Sequence, residues 1–141
     1  MHANDISSDR NAIRSLLEGT RTIAIVGLSP NPHRPSNEVA RSLRDAGYTI
    51  IPVNPACDEV LGEKCYRNLR EVPVPIDMVD VFRKPEDVAA VVEDAIAVGA
   101  RSLWLQLGVM APKAAQRAAE AGLKVVMDRC TKIEHALLIG R

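Results

Sequence analysis

The chain has 141 residues, 47 % of them apolar and 26 % charged, with a formal net charge of zero, an ordinary composition for a globular domain. Neutrality argues against general nucleic-acid binding, and no apolar run approaches the roughly 18 residues that span a bilayer. Three widely spaced cysteines suit a reducing cytoplasm better than a disulfide framework, and no short-spaced ligand pairs suggest a metal site.

One domain is expected over residues 1–141, with about 1–20 as a helical extension. A first amphipathic helix at about 8–18 turns Ile13, Leu16 and Leu17 toward a sheet edge. Five short runs then read as strands: TIAIV (22–26), TIIPV (49–53), DMVDVF (77–82), SLWLQL (102–107) and KVVMD (124–128). They are nearly all apolar, as strands covered on both faces are. A helix at 37–46 places Val39, Ala40, Leu43 and Ala46 on one face. The less regular connection at 54–76 holds LGEKCYRNLREV, read as one short helix before Pro73 and Pro75. PEDVAAVVEDAIAVG and PKAAQRAAEAG both open on a proline that a first helical turn tolerates and close on a glycine. Strand–helix alternation of this kind predicts a doubly wound, parallel five-stranded sheet, order 3-2-1-4-5, in three α/β/α layers.

In such a fold, ligands bind beyond the carboxyl ends of the strands, where the strand order reverses, expected here between the first and fourth strands. The loops at that end are 27–36, 53–57, 82–85, 106–111 and 128–132, and His33, Arg34, Arg83, Lys84, Arg129 and Lys132 all fall in or beside them. This clustering points to a polyanionic ligand, diluted by Glu38, Glu86 and Asp128. The first loop, VGLSPNPHRPSNEV, offers a phosphate site at the start of a helix, with Ser36 or Asn37 as N-cap and the amides of Asn37 and Glu38 free to face an anion. Ser29 can donate a hydroxyl hydrogen bond, and Pro30, Pro32 and Pro35 stiffen the loop.

The loop is not a dinucleotide fingerprint. Only Gly27 of the three usual glycines is present, and Ser29 stands in place of the second. The second strand ends Val53-Asn54-Pro55, without the acid that bonds the adenosine ribose of NAD, and the first acid is Asp58. No GxxxxGK[ST] loop occurs.

VGLSPNPHRPSNEV, PVNP, DVFRKPE, LQLGV and MDRC, each at a strand end and in this order, resemble the stand-alone CoA-binding protein family. That family is similar to the CoA-binding domain of the succinyl-CoA synthetase α subunit, and the resemblance covers about residues 15–138. It implies a Rossmann-like domain that holds coenzyme A in an extended crevice, with no established reaction for the small members. Carried over, it puts Gly27, Ser29, Pro30 and Ser36 at the diphosphate and Val53, Asn54 and Pro55 at the adenosine. Phe82, Arg83 and Lys84 would flank the ligand opposite, and Gln106, Leu107 and Gly108 would line the channel toward the pantetheine. Arg34 and Arg83 are both candidates for the 3′-phosphate.

The synthetase passes a phosphoryl group through a histidine in a further domain, with an ATP-grasp partner. Neither His33 nor His135 matches that histidine's setting, and His135 reads as a packed or solvated residue. The resemblance therefore favours a non-catalytic carrier, sensor or accessory module for CoA or acyl-CoA, with no nucleic acid or membrane and no protein partner identified. The alternatives are an NAD(P)-dependent oxidoreductase, or an acyl-CoA ligase subunit active only with a partner chain. Cys130 carries two readings: a small buried residue, or a thiol flanked by Arg129 and Lys132 that exchanges with the thiol of CoA.

Overall fold

The computed structural model describes residues 2–140. Helix α1 (Arg10–Gly19) is capped by Asp9, whose carboxylate accepts from the Ala12 N–H at 3.1 Å. Then come β1 (Thr22–Val26), α2 (Pro35–Asp45), β2 (Thr49–Val53), a hairpin of β3 (Glu59–Val60) and β4 (Glu63–Lys64), and β5 (Met78–Val81). The chain ends with α3 (Val88–Ala97), β6 (Ser102–Leu105), α4 (Pro112–Glu120), β7 (Lys124–Met127) and α5 (Thr131–Leu138).

The main sheet is parallel throughout, in the order β2-β1-β5-β6-β7. Alternate residues of each strand serve opposite faces, which is why the runs are apolar almost without break. Ala24, Val26, Val79, Val81, Leu103 and Leu105 pack under α3 and α4. Ile23, Ile25, Met78, Trp104 and Val126 pack under α1 and α2. The fold is thus a three-layer, doubly wound α/β domain.

The position outside β2 is held by a single parallel bridge, Val53 to Tyr66. Tyr66 N–H donates to Pro52 at 3.0 Å, and Asn54 N–H donates to Tyr66 at 2.8 Å. Proline has no N–H to extend this ladder, so the pairing stops there. With the Tyr66 segment counted as the third element, the order 3-2-1-4-5 runs from it through β2, β1 and β5 to β6, and β7 adds one more strand. Counted by the five expected runs alone, DMVDVF lies beside TIAIV, and the order reverses between β1 and β5 instead of between the first and fourth runs.

Three further differences have local causes. LGEKCYRNLREV is no helix: Leu61 and Gly62 take φ of 55° and 76°, closing the tight β3–β4 turn, and only a 3₁₀ turn, Leu69–Glu71, remains. The β7 edge is covered not by α1 but by the segment before it. Val125 N–H donates to Asn4 at 2.8 Å and Ile6 N–H to Val125 at 2.9 Å, while α1 buries Ile13 and Leu17 beside α5. The C-terminal α5, unread in the sequence, packs against α1 and α2.

At the β1–β5 reversal, Gly27 follows β1 with φ 86°, and a Cβ there would lie 2.3 Å from the Phe82 carbonyl oxygen. Backbone cannot yield as a side-chain tip can, so only glycine fits. Gly27→Ala is therefore expected to lower stability by at least about 1–3 kcal/mol in urea unfolding; an unchanged midpoint and slope would contradict this close packing.

Candidate functional site

The loop after β1 is tied to the start of α2 by its own polar groups. Arg34 occupies the N-cap position with no side-chain cap bond, and Pro35 is the first helical residue. Ser36 and Asn37 thus lie inside the helix and do not cap it. Ser36 Oγ accepts the Ser29 N–H at 3.0 Å, and Asn37 Nδ2 donates to the Ser29 carbonyl at 2.9 Å. The amides of Asn37 and Glu38, expected to be free, both donate to the Arg34 carbonyl at 3.1 Å. Proline at the first position shifts the frame: the carbonyl of residue 34 becomes the acceptor for the first turn.

Two cavities meet where β1 and β5 end, sharing Gly27, Arg83 and Asp87. The larger, about 710 Å³, is lined at one end by Ser29, Arg34 and Ser36, and elsewhere by Phe82, Lys84, Gln106, Leu107 and Cys130. The smaller, about 280 Å³, has Val53 and Pro55 on one side. Pro30, Asn54 and Gly108 line neither. Pro30 is exposed on the loop. Asn54 bridges two loops: Nδ2 donates to Leu28 at 3.1 Å, and Oδ1 accepts from Ala56 N–H at 2.9 Å. Gly108 N–H donates to Asp128 at 2.8 Å.

Val39, Asp87 and Val109 also line the larger cavity, and Arg67, Asn68 and Asp94 the smaller, though no motif marks them for the site. Asp87, Val91 and Asp94 recur at helical spacing, so the helix pattern held that signal. Arg67 and Asn68 come from the irregular connection, which holds none.

The basic rim divides into cations turned away from the crevice and cations on its wall. Arg129 Nε donates to the Ser7 carbonyl at 2.6 Å and its guanidinium pairs with Glu134 at 3.6 Å, which turns it toward the N-terminal segment. Lys132 pairs with Glu38 at 2.6 Å across α2 and α5, and this hydrogen bond holds the Glu38 carboxyl below its ordinary range. His33 is exposed and lines neither cavity; His135 is buried, its ring edge-on to Tyr48 with centroids 5.6 Å apart. Arg34, Arg83 and Lys84 remain on the cavity wall. Arg83 stands between the chambers, paired with Asp87 at 3.2 Å.

The sequence profile of a family described as CoA binding domain matches residues 21–136. The chain belongs to this CoA binding domain family. It is 43 % identical over 125 residues to protein YneT of Bacillus subtilis strain 168, covering 89 % of this chain and 93 % of that one. A hypothetical protein from Pyrococcus horikoshii OT3 is similar at 41 % identity, with a TM-score of 0.93 and 96 % of each chain covered. ADP-forming acetate–CoA ligase I of Archaeoglobus fulgidus is 23 % identical over 120 residues, which span 78 % of this chain but 18 % of the ligase. The chain thus matches nearly the whole of a relative of its own size and less than a fifth of a much longer ligase. Among the described residues, no helix is long and apolar enough to cross a membrane.

Behind the crevice of this CoA binding domain lies a buried polar chain. Asp80, in the middle of β5, is fully buried, and Thr131 Oγ1 lies 3.0 Å from its Oδ2. Thr131 Oγ1 also lies 3.3 Å from Gln106 Oε1, which accepts the Thr131 N–H at 3.0 Å. Among the described residues, Asp80 Oδ1 has no partner. Burial pushes the Asp80 carboxyl up to about 8, the Thr131 hydrogen bond opposing it, so at neutral pH the group holds its proton. A neutral carboxyl can donate to Thr131, which then donates to Gln106.

The sign follows from the unfolded value near 3.9. The folded state keeps a proton that the unfolded chain sheds, so Asp80's contribution to stability is full below about pH 4 and is lost as pH rises toward about 8. Asp80→Asn keeps a donor toward Thr131 and never ionises. Its melting temperature is expected to exceed the parent's at pH 8 by roughly 2–8 °C, the gap closing toward pH 4. A gap independent of pH would show that Asp80 does not titrate in this way.

Proposed function

We propose that the two-chambered crevice binds coenzyme A or an acyl-CoA, as a non-catalytic carrier, sensor or accessory module in the cytoplasm. The observation that carries this reading is the meeting of two chambers at Gly27 and Arg83, beside the first turn of α2. In it, Gly27, Ser29, Ser36 and the α2 start take the diphosphate, where bare backbone and a helix N-terminus suit an anion. The smaller chamber, with Val53 and Pro55, takes the adenosine, and the larger, toward Gln106 and Leu107, takes the pantetheine. Arg34 then serves the diphosphate. Arg83, which borders both chambers, serves the 3′-phosphate on exchanging Asp87 for the ligand.

Asn54 supports this choice over NAD. The strand end that carries the ribose-binding acid in NAD enzymes here carries an amide already bonded to Leu28 and Ala56. Phosphoryl transfer through a histidine is left out of the proposal because none of His2, His33 and His135 lines either cavity. Free thiols at Cys57, Cys65 and Cys130 fit a reducing compartment. A second reading, a subunit of an acyl-CoA ligase completed by a partner chain, is favoured by the match to part of an acetate–CoA ligase. Co-purification with an ATP-grasp protein, and CoA-dependent ligase activity of the pair only, would decide for it.

Thermal shift with CoA, acetyl-CoA, NAD, NADP and ATP tests the main reading, since a ligand that binds only the folded chain raises its melting temperature. A rise with CoA or acetyl-CoA is expected; a rise with NAD and none with CoA would overturn it. Arg83→Glu is expected to weaken CoA binding by at least about 1.5–3 kcal/mol, read by calorimetry, with smaller loss of stability. Unchanged affinity would make Arg83 surface charge only. Ser29→Leu should abolish CoA binding while helix content is retained, because the larger side chain enters the space assigned to the diphosphate; normal affinity in the folded variant would move the phosphates elsewhere.

A further inference from the structure

The geometry points to Cys130 as a thiol-capture site, where the protein forms a mixed disulfide with the pantetheine sulfur of a ligand in the larger cavity. This inference rests on the reading of the crevice as a CoA site.

Cys130 lines the larger cavity and is half-buried, at the N-cap position of α5, where its side chain makes no cap bond. A cysteine in a wall is not a site by itself; the second observation is Gln106. Its side chain is 5 % exposed and lines the same cavity. The Thr131 N–H can only donate, so the amide oxygen of Gln106 must face Thr131, at 3.0 Å. The Nε2 group is therefore turned away from Thr131, with no described residue to receive its hydrogens, and it is not sealed from solvent. It opens on the cavity.

Facing the cavity, this donor is free to take a carbonyl of the ligand in exchange for water. The same cavity is lined by the apolar Val39, Phe82, Leu107 and Val109. A flexible arm of amide carbonyls and methylenes ending in a thiol matches both features, and its sulfur then has Cys130 within the same cavity to react with. The other cysteines do not share this wall. Cys57 and Cys65 line a separate cavity with Tyr66 and Arg67. Cys65 is buried, and that burial pushes its thiol up.

The oxidant is the disulfide of the ligand itself. The Cys130 thiolate attacks one sulfur of CoA disulfide, and a Cys130–pantetheine S–S bond forms as the original S–S bond breaks. The second CoA leaves as a thiolate and takes up the proton that Cys130 released. No electrons are gained or lost overall, and an excess of small thiol reverses the step. The ligand would thus be held covalently under oxidising conditions and exchange freely under reducing ones.

Intact-mass spectrometry of the full chain after incubation with CoA disulfide, followed by peptide mapping, is the test. Calorimetry with reduced CoA on the same chain runs beside it. The expected result is one CoA adduct, mapped to Cys130, released by reductant and lost in Cys130→Ser. Glutathione disulfide at equal concentration should label Cys130 at least about tenfold more slowly, because the bound ligand presents its sulfur at high effective concentration. Peptide mapping on the parent chain decides even if Cys130→Ser fails to fold. If reduced CoA binds but no adduct forms, or the adduct maps to Cys57 or Cys65, or glutathione reacts as fast, the capture site is overturned and the CoA reading stands. If reduced CoA does not bind at all, both fall.

Discussion

A methyl group at position 27 would stand 2.3 Å from the carbonyl oxygen of Phe82. This contact between the ends of β1 and β5 sets the geometry of the crevice. It holds together the two strands at which the winding of the sheet reverses, and it keeps the floor of the crevice as bare backbone. The loop above is then fixed by its own hydrogen bonds: Ser29 to Ser36, Asn37 to Ser29 and Asn54 to Leu28. A site built this way is largely preformed, which lowers the ordering cost of any ligand it takes.

The same economy operates behind the crevice. Thr131 opens α5 and engages both Asp80 and Gln106, so the helix start, the middle of β5 and the end of β6 are linked by one buried chain. Its polarity depends on a proton that the interior keeps on Asp80 at neutral pH. The outcome at the surface is a fixed Gln106 carboxamide and, one residue before Thr131, the Cys130 thiol on the same cavity wall. The packing of the sheet and the lining of the cavity therefore share the same few residues.

Much of this was legible in the sequence, because the periodicity of the strands and of α2 to α4 is strong and each strand end carries its own short motif. The five runs coincide with the five strands of the main sheet to within two residues at either end. The loop residues Gly27, Ser29 and Arg34 were accessible because the ends of parallel strands share one side of the sheet. What was not legible depends on contacts distant in sequence. The N-cap of α2 moved to Arg34 because Pro35 took the first helical position. Arg129 and Lys132 read as part of the anion rim, yet partners on α2, α5 and the N-terminal segment engage them. Asp80 sits in a run read as a buried strand, and nothing local tells that its carboxyl finds Thr131 some fifty residues on.

A crystal structure of the chain with CoA bound tests the central claim most directly. The account predicts the diphosphate against Gly27 and the first turn of α2, the adenine in the chamber beside Val53, and the pantetheine running toward Gln106 and Cys130. CoA bound on another face, or with its adenine at the Gln106 end and its thiol beside Val53, would contradict it.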